Sequence, residues 1–209
     1  MNPTRILSLI VLLACPVLLF AGAPLICHPY DIGDAKSLPA GRWKGVDPAY
    51  DRGNLESDTL ALLTPETPML VRMETLRRAA IYATGNLRGL GGGSYTADDR
   101  DVARRLLKRL KERTQTPPGG AQDLALFDLG FFAETLRQTH LDPSLDGYSL
   151  LEKVATLRPN DPHVPFALAL AGSYPERKTE RADHLARARA GAKSGSLLAV
   201  NLGSHFSDR

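Results

Sequence analysis

The chemistry most open to reading in this chain lies in Asp142-Pro143-Ser144-Leu145-Asp146-Gly147. Oxygen ligands at loop positions one, three and five, with glycine at six, form the opening of a helix–loop–helix calcium site, where glycine permits the sharp turn around the ion. The bidentate glutamate that should close such a site at position twelve is missing. Lys153 stands there, and Glu152 comes one residue early, about 100° away around a helix. A turn closed by Asp142 or Ser144, with Asp146 capping the next helix, accounts for the same residues without a metal. A second group, Cys27, His28, Asp31 and Asp34, gathers a thiol, an imidazole and two carboxylates within eight residues. Such ligands suit zinc or copper, but the spacing matches no structural zinc pattern. Asp31 and Asp34 read more simply as turn residues beside Gly33.

Other patterns carry less. Gly89-Leu-Gly-Gly-Gly-Ser94 resembles a phosphate cradle in composition only. Such loops follow a strand, whereas a helix precedes this one, and Asp98, Asp99 and Asp101 would repel an anion, so it reads as a linker. The five histidines, His28, His140, His163, His184 and His205, are scattered, and no Gly-x-Ser-x-Gly or His-Glu-x-x-His motif occurs, so no residue is assigned as catalytic. Glu66 and Glu74 form a nominal carboxylate pair that reads as solvent-facing charge. The arginine-rich face of 97–113 is a surface for an acidic partner or lipid headgroups, but its interleaved acids favour a solvated helix face.

These residues sit in a chain that opens with an export signal. Arg5 precedes an uncharged run from Ile6 to Phe20, followed by Ala21-Gly22-Ala23, the layout of a cleavable leader spanning 1–23. Pro24 disfavours a cut after Ala23, which brings Ala21 and Gly22 forward as alternatives. Two rival readings are a lipid anchor on Cys15, after Leu12-Leu13-Ala14, and an uncleaved membrane anchor over 6–27. The product is expected in the periplasm or outside the cell. Losing the leader removes Arg5, and the formal net charge falls from +3 to +2, so no nucleic-acid partner is expected. Cys27 is then left alone, which excludes an internal disulfide and makes burial the expected state of its thiol.

Residues 24–53 hold Pro24, Pro29, Pro39 and Pro48 with Gly33, Gly41, Gly45 and Gly53, and show no helical period. They also carry Ile26, Tyr30, Ile32, Leu38 and Trp43, too many large apolar groups for a linker, so an irregular strap lying on the body is expected. From 54 to 209 the pattern is helical. Thr67-Pro68 is a start signal, followed by an apolar stripe at Met69, Met73, Leu76, Ala80 and Ala83 that stops at Gly85. Thr96 with Asp99 predicts a capping box, and Val102, Leu106, Leu107 and Leu110 mark that helix's apolar face. After the break at Pro117-Pro118-Gly119-Gly120, 121–139 is apolar on more than one face and reads as a central helix, with Gly130 admitting a close neighbour. Further helices are predicted at 147–157, from Asp161-Pro162 to Ala171, at 179–192 and at 196–202. No segment alternates at period two. The fold class is therefore all-α, with antiparallel hairpins joined by short turns.

Tyr148-Ser-Leu-Leu-Glu-Lys-Val-Ala-Thr-Leu-Arg-Pro-Asn-Asp-Pro162 resembles the end of a tetratricopeptide (TPR) unit. Phe166–Ala171 and Arg181–Ala190 are similar to the two helices of the next unit. The resemblance spans about residues 121–202 and implies an irregular TPR-like array, since Pro165 and Gly172 fall where the family prefers tryptophan and tyrosine. Separately, Ile26-Cys-His-Pro-Tyr-Asp-Ile-Gly-Asp-Ala-Lys-Ser-Leu-Pro39 resembles the opening of a group of uncharacterised exported bacterial proteins. The functional expectation is a protein-interaction or scaffold module of the cell envelope with an unspecified protein partner and no cofactor. The alternative is a calcium- or other metal-binding protein, or a metal-dependent hydrolase, using Cys27, His28 and Asp31 or the 142–148 loop.

Overall fold

Apolar stripes at helical spacing become eight α-helices in the computed structural model, which describes residues 23–41, 46–85, 94–141, 144–174 and 177–206. They are α1 (Leu55–Leu62), α2 (Met69–Ala83), α3 (Ala97–Gln115), α4 (Gln122–Gln138), α5 (Gly147–Leu157), α6 (His163–Ala171), α7 (Lys178–Gly191) and α8 (Leu197–His205). No strand occurs among the described residues, and none of their helices is long and apolar enough to cross a membrane. Residues 1–22 of the leader with Cys15, Trp43, the glycine run at 89–93 and Asp142 lie outside the described residues.

Successive helices pack as hairpins: α4 on α5, α5 on α6 and α6 on α7, with α2 and α3 against the other side of α4. Phe127, Phe131 and Phe132 of α4 and Phe166 of α6 are wholly buried, so α4 is central, as its all-round apolar surface predicts. Gly130 makes the α4–α5 approach feasible. A Cβ there would lie 2.8 Å from the Gly147 carbonyl oxygen, and one on Gly147 would lie 2.4 Å from that of Gly130.

The start signals at Thr96 and Asp146 act as read. The Thr96 hydroxyl accepts from the Asp99 amide at 3.1 Å while the Asp99 carboxylate accepts from the Thr96 amide at 3.0 Å, a complete capping box. Thr67-Pro68 acts differently. Pro68 takes the cap position itself with no side-chain bond, and the Thr67 hydroxyl instead accepts from the Thr64 amide and donates to the Leu62 carbonyl, closing the turn after α1. Pro162 is likewise the N-cap residue of α6 and not its first helical residue. The surface of α7 buries only Ala188, so it forms an outer, mostly solvated helix.

The strap is ordered and deeply seated. Leu25, Ile26, Tyr30 and Leu38 are buried to 1 % exposure or less. Its backbone groups find side-chain partners on the body, as buried amides and carbonyls must. The Leu25 amide donates to Gln138 at 2.8 Å, the Tyr30 amide to Glu74 at 3.0 Å, and Arg77 donates to the Ile26 carbonyl at 3.0 Å. Asn201 of α8 makes a two-way bridge, donating to the Asp31 carbonyl and accepting from the Asp31 amide, each at 2.9 Å. The strap thereby ties α2, α4 and α8 together.

Candidate functional site

Of the described metal candidates, Asp146 and Asp31 are engaged in a local cap and a local turn. The Asp146 carboxylate accepts from the Ser149 amide at 3.1 Å and from its hydroxyl at 2.7 Å, which makes it the cap of α5. These bonds hold its carboxyl below its ordinary value. Ser144 lies in the turn before it with φ at +51°. In the strap, Asp31 accepts from the Gly33 amide at 3.0 Å, the turn expected of it. His28 stands with its ring 5.7 Å from that of His205, away from any carboxylate cluster. Among the described residues no three His, Cys, Asp or Glu side chains converge as a metal site would require.

Two expectations are corrected. Cys27 is exposed, not buried. The turn at 23–27, closed by Ile26 and Cys27 amides donating to the Ala23 carbonyl, turns Leu25 and Ile26 inward and Cys27 outward. Desolvation around the sulfur still pushes its pKa up, which leaves little reactive thiolate at neutral pH. Glu74 is not a surface charge but is fully buried, clasped by Arg77 Nε and Arg78 Nε, each at 2.7 Å. Burial pushes its carboxyl up, but the bonds from Arg77, the Tyr30 amide and Arg78 outweigh it and hold the group below its usual range. Its partner in the nominal pair, Glu66, remains exposed.

A feature that residue-by-residue reading missed is an open groove of about 1140 Å³ on the face where the strap meets the helix ends. Strap residues Ile32 and Ala35 form one wall. The first turn of α2 and the Leu157–Pro162 turn form the floor and far wall, and the Gly191–Leu198 turn closes the remaining side. Leu157 and Leu197 line it at 56 % and 41 % exposure, two of the three large apolar side chains most open to solvent among the described residues. The sequence does carry a signal for Leu197. Adjacent residues lie about 100° apart around a helix, so a helix packed on one face turns one of two neighbouring leucines outward, and Leu198 takes the buried place.

The groove's charge is organised. Arg158 bridges Asp123 at 2.7 Å and Asp161 at 3.0 Å. Burial raises each carboxyl, but Arg158 at Asp123, and His163 together with Arg158 at Asp161, pull both below their ordinary values. Arg158 and Lys193 match Asp123 and Asp161 in formal charge, and the last turns of α5 and α7 line the groove together with the first turns of α2, α6 and α8, so the groove is balanced in charge, with Lys193 lying outside the Arg158 cluster. The arrangement offers apolar contact beside one lysine and three helix N-termini. Compared with known proteins, the chain matches no family model, no curated protein and no solved structure.

Proposed function

We propose that the protein is an exported bacterial interaction module of the cell envelope, whose groove binds an extended segment of a partner protein rich in apolar side chains and ending in, or carrying, a carboxylate. The observation that carries this reading is the exposure of Leu157 and Leu197 in one groove, since soluble proteins rarely leave contiguous large apolar side chains open unless they bind something. The volume favours a peptide, because small-molecule sites run to roughly 300–1,000 Å³ and this groove is larger at about 1140 Å³. The hairpin succession α4–α5 and α6–α7 supports a TPR-like array, in which neighbouring hairpins present a shared concave surface. Lys193 and the first turns of α2, α6 and α8 are the groups that would receive the carboxylate.

Fluorescence polarisation with labelled hexapeptides tests this reading. Apolar peptides with a free C-terminal carboxylate are expected to bind at least tenfold tighter than their amidated forms. Leu157→Asp and Leu197→Asp should each remove that binding while leaving the helical circular dichroism unchanged. Equal binding of carboxylate and amide forms, or binding indifferent to both substitutions, excludes the groove as the partner site.

A further inference from the structure

A second cavity, of about 560 Å³, opens between α3 and the C-terminal end of α4. Its floor is apolar, made of Leu107, Leu136 and Leu141. Its lining also holds Arg100 and Arg104, one helical turn apart on α3, and His140 just past α4. Arg104 pairs with Asp101 at 2.6 Å outside the cavity, in an exposed contact that competes weakly with a bound anion. Arg100 has no ion-pair partner among the described residues. Asp98 and Asp99 pair with Arg52 and Asp101 with Arg104, all three outside the lining, so among the described residues the lining itself holds no carboxylate and is completed by Tyr95, Ala103 and Ser144. The Tyr95 hydroxyl donates to the Thr139 carbonyl, which fastens the α3 entry to the end of α4 and fixes the width of the opening.

The backbone supplies an independent observation. Among the described residues only two that are not glycine have positive φ, His140 at +63° and Ser144 at +51°, and both line this cavity. His140 occupies the position just past α4, where the Leu141 amide reaches back to the Leu136 carbonyl at 3.2 Å and the His140 amide to that of Arg137 at 3.0 Å. That left-handed place is one that glycine fills at least cost. A histidine there gives up stability, and its exposed ring gains no burial in return. Strained backbone of this kind gathers where a side chain is held for binding.

We infer that this cavity binds a small organic anion, its carboxylate or phosphate held by Arg100, Arg104 and His140 and its apolar body lying on the three leucines. Paired guanidinium groups suit such oxyanions because they offer parallel N–H donors. The volume sits within the roughly 300–1,000 Å³ of small-molecule sites, and it lies apart from the peptide groove, with which it shares no lining residue.

Isothermal titration with phenyl phosphate, octanoate, inorganic phosphate and neutral 1-octanol tests the inference, with phosphatidylglycerol vesicles as a separate arm. Phenyl phosphate or octanoate should bind, inorganic phosphate at least tenfold more weakly, and 1-octanol not measurably. Arg100→Ala combined with Arg104→Ala should weaken binding at least tenfold, while Leu197→Asp in the groove should leave it unchanged. His140→Gly is the decisive variant. It should weaken binding several-fold yet raise Tm, by about 2–4 °C if relief of the strained backbone dominates. Binding of 1-octanol as tight as that of the anions overturns the inference. So does a His140→Gly protein that binds normally or melts lower, or association with vesicles alone.

Discussion

At the scale of single residues, the ion pair between Arg72 and Asp128 is a costly commitment. The two meet at 2.6 Å with side chains 1 % and 2 % exposed, and Arg72 also donates to the Thr64 carbonyl. Neither Arg72 Nε nor Asp128 Oδ1 has a hydrogen-bond partner among the described residues. Burial pushes the Asp128 carboxyl up to about 6 despite the opposing guanidinium. Removing one member leaves the other charge buried alone, which costs about 3–5 kcal/mol, whereas replacing both with apolar groups is often neutral or better. Asp128→Leu and Arg72→Met should therefore each lower the urea midpoint sharply, and the double variant should recover most of the loss. Additive losses in that cycle would show that the pair is not the unit of stability. The sequence did not announce this pair, because the partners are 56 residues apart and each sits on a helix whose neighbours look ordinary. Glu74 misled for the same reason: its partners Arg77 and Arg78 are local, but the Tyr30 amide that makes the clasp structural comes from the strap.

At the scale of elements, the readings that held were those whose cause is local. The Thr96–Asp99 box, the Asp146 cap and the span of α5 follow from hydrogen bonds within a few residues. The groove and the second cavity were not legible, because each is assembled from turns far apart in the chain: 32–35, 157–163 and 191–198 for one, the α3 face and the α4 end for the other. Gly130 lies between these cases. Its position in an apolar helix predicts close approach, while the partner, Gly147, emerges only from the packing. The contact is backbone on backbone, so a methyl group cannot be absorbed by rotating a side chain. Gly130→Ala would place a Cβ 2.8 Å from the Gly147 oxygen and 3.0 Å from Leu150 Cβ, and α5 must move outward. Overpacking of this kind typically costs about 1–3 kcal/mol, offset slightly by alanine's better helix propensity. A midpoint equal to or above that of the parent protein in urea unfolding would mean that the two helices are not locked at this crossing.

At the scale of the whole molecule, the buried titratable groups set opposing dependences on pH. Burial lowers the pKa of His205, which stacks on Tyr30 with ring centres 4.9 Å apart, and also that of His184. Below their unfolded value of 6.5, the unfolded chain therefore takes up more protons than the native one, and stability falls as the medium acidifies. Asp128 acts in the other direction. Its folded value near 6 lies above the ordinary 3.8, so between those limits the native state binds more protons and gains stability as pH drops. The two effects oppose one another from pH 6 downward, and the parent protein should change little in urea midpoint between pH 7 and 5. Below that, Glu74, depressed from 4.5, and Asp99, Asp123, Asp146 and Asp161, depressed from 3.8, all lose native-state interactions as they protonate, and stability should fall steeply. The Arg72→Met/Asp128→Leu double variant removes the opposing contribution. In it the decline should begin near pH 6.5, with the shallow region gone. Identical profiles for parent and double variant from pH 7 to 5 would show that Asp128 is ionised throughout the native state's range and that the pair carries no proton linkage.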